Sequence, residues 1–194
     1  MRFIRNPGLW MLSATLLLLF LFQIAEFLYP GYSVSSNTIS DMGVGPEPSR
    51  TIFSVALIIF GPMVLMSAAL FYERDRRSLL WLLVALTGIG ALGVALFNED
   101  DYSQLHYLFS ALAFGFANIA AVYSFKLTKA PFSWFAMALG AVGLGGLLLY
   151  AFDYYLGLGQ GGMERIVFYC AMSWALIYGS YLLAEEGIGR KAEA

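Results

Sequence analysis

Six apolar runs, at residues 9–28, 51–72, 78–97, 105–125, 131–152 and 166–184, take up most of a chain of 194 residues. Each is about 20 residues long, the length at which a helix crosses a hydrocarbon core of roughly 30 Å. Lipid offers backbone N–H and C=O groups no partners, so a helix that satisfies its own is the form such runs take. Composition agrees: hydrophobic residues make up 60% and charged residues 12% of the chain, against roughly 25% charged in soluble domains. The first run is longer than a signal-peptide core and lacks a small-residue cleavage site before Tyr29-Pro30, so it is expected to remain as the first helix. The expected fold is all-α: a six-transmembrane-helix up-and-down bundle, one domain over residues 1–194. The short links at residues 73–77 and 126–130 force antiparallel neighbours.

Charge sets the expected orientation. Arg2, Arg5, Arg74, Arg76, Arg77, Lys126, Lys129, Arg190 and Lys191, nine of the 11 basic residues, fall on one side of a six-pass chain. The positive-inside rule makes that side cytoplasmic and puts both termini there, in a multi-pass protein of the cell membrane. Arg50 and Arg165 face eight carboxylates on the other side: Glu26, Asp41, Glu47, Glu99, Asp100, Asp101, Asp153 and Glu164. Nucleic acid is excluded as a partner, because the chain has no basic patch beyond its inner anchors. Zinc chemistry is disfavoured by one His and one Cys, and Cys170 has no internal disulfide partner. No cofactor and no metal is expected; Glu99–Asp101 reads as a solvated acidic loop rather than a Ca²⁺ or Mg²⁺ site. Tyr29, Tyr32, Tyr102, Tyr107, Tyr150, Tyr154 and Tyr155 suit an interfacial aromatic belt.

Small residues mark the packing faces. Ala111 with Gly115, Ala113 with Ala117, and Gly140, Gly143, Gly145 and Gly146 allow helix backbones to approach, within one chain or in a homo-oligomer. Gly61-Pro62 is expected to bend the second helix.

Polar groups gather at the outer end. Gln23 and Glu26 share a face of helix one, His106 and Ser110 a face of helix four, and Glu164-Arg165 follow the glycine-rich GLGQGG of residues 157–162. Ionisable groups in a membrane segment are costly, which makes them candidates for a site. The stretch SVSSNTISDMG, residues 33–43, lies in a connection too long for a simple hairpin link. A turn over residues 37–42, closed by a left-handed Gly43, would fold back over the bundle mouth. A solvated connector accounts for the same composition.

NTISDMG, LFNEDDYSQLH and GMER, in that order, resemble the prokaryotic membrane family called domain of unknown function 998, over residues 32–183. The matching positions are Ser40, Asp41, Gly43, His106, Glu164 and Arg165; NED after Phe97 departs from the proline and acidic residue common in the family. The resemblance implies a six-helix architecture and a set of residues, and no activity.

From residue chemistry, His106 is the candidate base toward Ser40 or water, with Asp41 or Glu164 orienting it. Arg165 is the candidate holder of an anionic head group, with Asn37, Glu26 and Gln23 completing a ligand-binding wall. The reading is an outward-facing polar pocket for an amphiphile, a membrane lipid, with a weak case for a hydrolase or transferase. The alternatives are a small transporter or channel subunit, a non-catalytic assembly protein, or a buried polar network that only ties helices together.

Overall fold

The computed structural model describes residues 3–193, with side chains described for residues 4–186. Six helices, α1 Pro7–Phe27, α2 Ser49–Arg74, α3 Leu80–Leu96, α4 Glu99–Ser124, α5 Phe132–Ala151 and α6 Gly159–Glu193, account for the fold, and there is no strand among the described residues. Each helix packs on the next and α6 returns to α1, so the six close into a ring, with α4 also touching α6 across it.

Contacts at both ends show that neighbours run antiparallel. Ser67 Oγ of α2 donates to the Pro7 carbonyl at the start of α1 at 3.0 Å, while Phe22 near the end of α1 stacks on Phe53 near the start of α2 at 5.0 Å. Asn6 caps α1 by accepting from the Gly8 N–H at 2.7 Å, with Pro7 in the first helical position, where a missing N–H costs nothing. The same Asn6 donates to the Leu182 carbonyl at 3.3 Å, joining the beginning of α1 to the end of α6. Gly8 and Gly179 make that approach feasible: a Cβ on Gly8 would sit 2.5 Å from the Gly179 carbonyl oxygen.

The small residues sort by what they touch. Gly140 lies against the Asn118 carbonyl and Val122 N–H of α4, Gly143 against the Asn118 side chain, and Gly146 against Val167 and Ile166 of α6. Gly145 faces open space. Gly61 closes onto Leu92 and Gly88 of α3, and α2 continues through Pro62.

Five helices are long and apolar enough to span a bilayer; α3, with 17 residues, is the shorter apolar one, reaching about 26 Å at 1.5 Å per residue. Large apolar side chains such as Phe20, Leu96, Phe135 and Leu148 are exposed on the outside of the ring. A water-soluble monomer rarely exposes so much apolar surface, and the chain is a multi-pass membrane protein. Arg5, Arg74, Arg76, Arg77, Lys126 and Lys129 lie at one end, where Arg5 pairs with Glu73 at 3.2 Å. Arg2 and the side chains of Arg190 and Lys191 lie outside the described residues.

Two helix starts differ from those expected at residues 105 and 166. α4 begins at Glu99, so the acidic run is its first turn: Asn98 Oδ1 accepts from the Asp101 N–H at 2.8 Å, and carboxylates there complement the helix dipole. Tyr102, at φ −139° and ψ 45°, kinks the helix just after that turn. α6 begins at Gly159, which puts Glu164 and Arg165 in its second turn.

Candidate functional site

Between α1 and α2 the chain doubles back onto the first turns of α6. The Ser35 carbonyl accepts from the Gly161 N–H at 2.9 Å, satisfying a donor that the start of a helix leaves free. Ser35 Oγ donates to the Leu158 carbonyl at 2.7 Å. The GLGQGG composition follows: Gly159 has φ +79° and lies under Ser35, and a Cβ on Gly161 would run into the Asn37 carbonyl.

Arg165 fastens this arrangement. Nη1 donates to the carbonyls of Val34 at 3.0 Å, Asn37 at 2.8 Å and Gly161 at 3.0 Å. Nη2 is ion-paired with Glu26 and donates to the Tyr32 hydroxyl at 2.6 Å. Tyr32 in turn donates to the Thr38 carbonyl at 2.6 Å, and burial pushes its phenol above the ordinary tyrosine range. Both terminal nitrogens of Arg165 are thus engaged with the protein, which leaves the expected head-group role without free donors there. Tyr32, expected in the aromatic belt, belongs to this cluster.

Asp41 is similarly occupied. Its Oδ1 accepts from Thr38 Oγ1 at 2.8 Å and its Oδ2 from the Thr38 N–H at 3.1 Å and Asn37 Nδ2 at 2.8 Å, while its own N–H donates to Thr38 Oγ1 at 3.0 Å. This reciprocal cap launches the 3-10 turn Ser40–Gly43 and drives Ile39 and Met42 into the core. Gly43 is not left-handed, contrary to the expectation; it is small because a Cβ there would lie 2.7 Å from the Phe53 ring. Gln23 is exposed and donates to Glu26 Oε2 at 2.8 Å.

Three of the expected residues, Ser40, His106 and Glu164, share the wall of one chamber of about 240 Å³. Glu164, 5% exposed, accepts from the Ile39 N–H and from Ser40 Oγ at 3.3 Å. His106, 2% exposed, has Nδ1 2.9 Å from the Phe97 carbonyl oxygen. That oxygen only accepts, so Nδ1 carries the hydrogen, and in the neutral tautomer Nε2 presents a lone pair. Nε2 is buried without a partner, as is Ser110 Oγ on the same wall. The orienting group for His106 is therefore the Phe97 carbonyl, not Asp41 or Glu164. Glu99 also lines the chamber and accepts from the Tyr107 hydroxyl at 2.9 Å. Through Ser40, Ser110 and Phe114 the chamber shares its wall with an apolar hollow of about 50 Å³ inside the ring, lined also by Phe22, Phe53 and Phe168.

Asn118, which sequence reasoning passed over, is fully buried on α4 and donates to the carbonyls of Phe114 at 2.9 Å and Val167 at 3.3 Å. An amide in the middle of an apolar run was its signal. Among the described residues, no three His, Cys, Asp or Glu side chains gather as metal ligands.

The family model described as "Protein of unknown function (DUF998)" matches residues 12–181, and the chain belongs to that family. Comparison with curated proteins returns no match, and comparison with solved structures returns none.

Proposed function

We propose that the protein sits in the cell membrane with both termini cytoplasmic and binds one amphiphile, a membrane lipid, in its outward-facing chamber. The head group meets Ser40, His106, Ser110 and Glu164, and the apolar portion lies toward the phenylalanine-lined hollow. The observation that carries this reading is the His106 ring, held by one nitrogen with the other buried and unpartnered at the wall of a chamber about 240 Å³ in volume. A buried polar atom left without a partner is costly, and a ligand donor relieves that cost. Ligand sites commonly join an apolar lining to a few convergent polar groups, as this pair of cavities does.

Binding without turnover accounts for the hydrogen bonds better than nucleophilic catalysis. Ser40 Oγ donates to Glu164 at a long 3.3 Å and not to His106, so the histidine base expected to activate the serine does not touch it. Mass spectrometry of lipids copurified in mild detergent tests the reading. Wild-type protein is expected to retain about one amphiphile per chain, and His106→Phe to weaken retention about tenfold, the loss of one hydrogen bond of ~1.4 kcal/mol. Equal retention by His106→Phe, or none by the wild type, overturns it.

A further inference from the structure

Apart from its hydroxyls, the polar wall of the chamber offers acceptors. His106 offers the Nε2 lone pair, and Glu164 and Glu99 offer carboxylates. No lysine or arginine lines the chamber. The nearest candidate in sequence, Arg165, is turned to Glu26, Tyr32 and the loop carbonyls. Glu164 is held only by neutral donors, the Ile39 N–H and the Ser40 hydroxyl, and Glu99 by the Tyr107 hydroxyl. A carboxyl as buried as Glu164 must either hold a proton or meet a compensating cation.

Building on the amphiphile reading above, we propose that the head group bound in this chamber is a protonated primary amine. An alkylammonium brings three N–H donors and one positive charge. One donor meets His106 Nε2 and the others the Glu164 carboxylate and a neighbouring oxygen, so the orphaned nitrogen and the unpaired charge are satisfied together. A quaternary ammonium has no donor for Nε2. An uncharged alcohol leaves Glu164 without a cation, and an anion meets the carboxylates of Glu164 and Glu99 with no lysine or arginine to hold it.

His106 is the single histidine of the chain, so its ring nitrogens give an unambiguous nitrogen-15 NMR signal. Wild-type protein in neutral maltoside micelles is titrated with four probes of one tail length: dodecylammonium, dodecyltrimethylammonium, dodecanol and dodecanoate. The alkylammonium stays charged at pH 7, as lysine does. Dodecylammonium is expected to move the Nε2 resonance saturably and to bind at least tenfold more tightly than each of the others. Glu164→Gln is expected to reduce that preference over dodecanol at least tenfold while dodecanol binding persists. If dodecanoate, dodecanol or the quaternary probe binds as well as the amine, the amine proposal fails and the amphiphile reading stands. If no probe moves the signal and the purified protein carries no amphiphile, the reading beneath it fails too. The wild-type ranking decides the matter even where Glu164→Gln does not fold.

Discussion

Replacing Arg165 with methionine should detach the loop over residues 33–43 before it unfolds the bundle. Apart from the Gly161 carbonyl, every partner of the guanidinium lies at the end of α1 or in the connection between α1 and α2. The Arg165 and Glu26 side chains are 5% and 16% exposed, and removing one member of a buried ion pair costs roughly 3–5 kcal/mol. At about 1.4 kcal/mol per factor of ten, loop opening becomes about 10³-fold more populated. A cysteine replacing the buried Ile39, in a Cys170→Ser background that removes the native thiol, reports opening through its rate of maleimide labelling. Arg165→Met should raise that rate about 10³-fold. Glu26→Gln alone should raise it about tenfold, because the Arg165 guanidinium keeps an acceptor there but loses the opposing charge. Added to Arg165→Met, however, Glu26→Gln should lower the rate, since it removes a carboxylate left buried and unpaired. A labelling rate within threefold of wild type in Arg165→Met, or simple additivity in the double variant, refutes the assignment of Arg165 as the fastener.

Gly161→Ala should lower the melting temperature and increase proteolysis of the loop, because its methyl meets the Asn37 carbonyl, whereas Gly145→Ala should be neutral or stabilising by up to about 1 kcal/mol. Asp41→Ala should cost about 1 kcal/mol of stability through the lost cap and leave amphiphile retention unchanged, which mass spectrometry of the purified variant checks. With both termini cytoplasmic, an externally added thiol probe should modify a cysteine at the exposed Ser36 and spare one at Arg76; the opposite pattern inverts the topology.

Helix number and type were legible because apolar length is a property of the chain itself. The starts of α4 and α6 were not. Polar or glycine-rich runs read as loops, yet Glu99–Asp101 form a capped first turn, and the glycines of residues 157–162 admit another loop's carbonyls. The identity of the polar residues was equally visible, since Glu26, His106, Glu164 and Arg165 are each expensive at their depth. Their pairing was hidden. Eight carboxylates on the same side of the chain compete for Arg165 in the sequence, and folding selects Glu26. The group that orients His106 is a main-chain carbonyl, which every residue carries and no composition reveals.

The adjacency of Glu164 and Arg165 carries a further consequence. Consecutive residues on an α-helix are about 100° apart, so the two charges leave α6 in different directions. Arg165 turns toward α1 and the loop, while Glu164 faces the chamber beside α4. The same loop is held by both, at the Val34 and Asn37 carbonyls on one side and the Ile39 N–H on the other. A sequence-neighbour ion pair would have neutralised both charges and left the loop free. Division of the pair instead gives Arg165 to architecture and leaves Glu164 as an acceptor at the chamber wall. Loss of Arg165 therefore acts on the site through the loop, by releasing Ile39 and Ser40 from Glu164, whereas loss of Glu164 acts on it directly. The two should separate experimentally: Glu164→Gln changes which head group is preferred, and Arg165→Met weakens every probe alike.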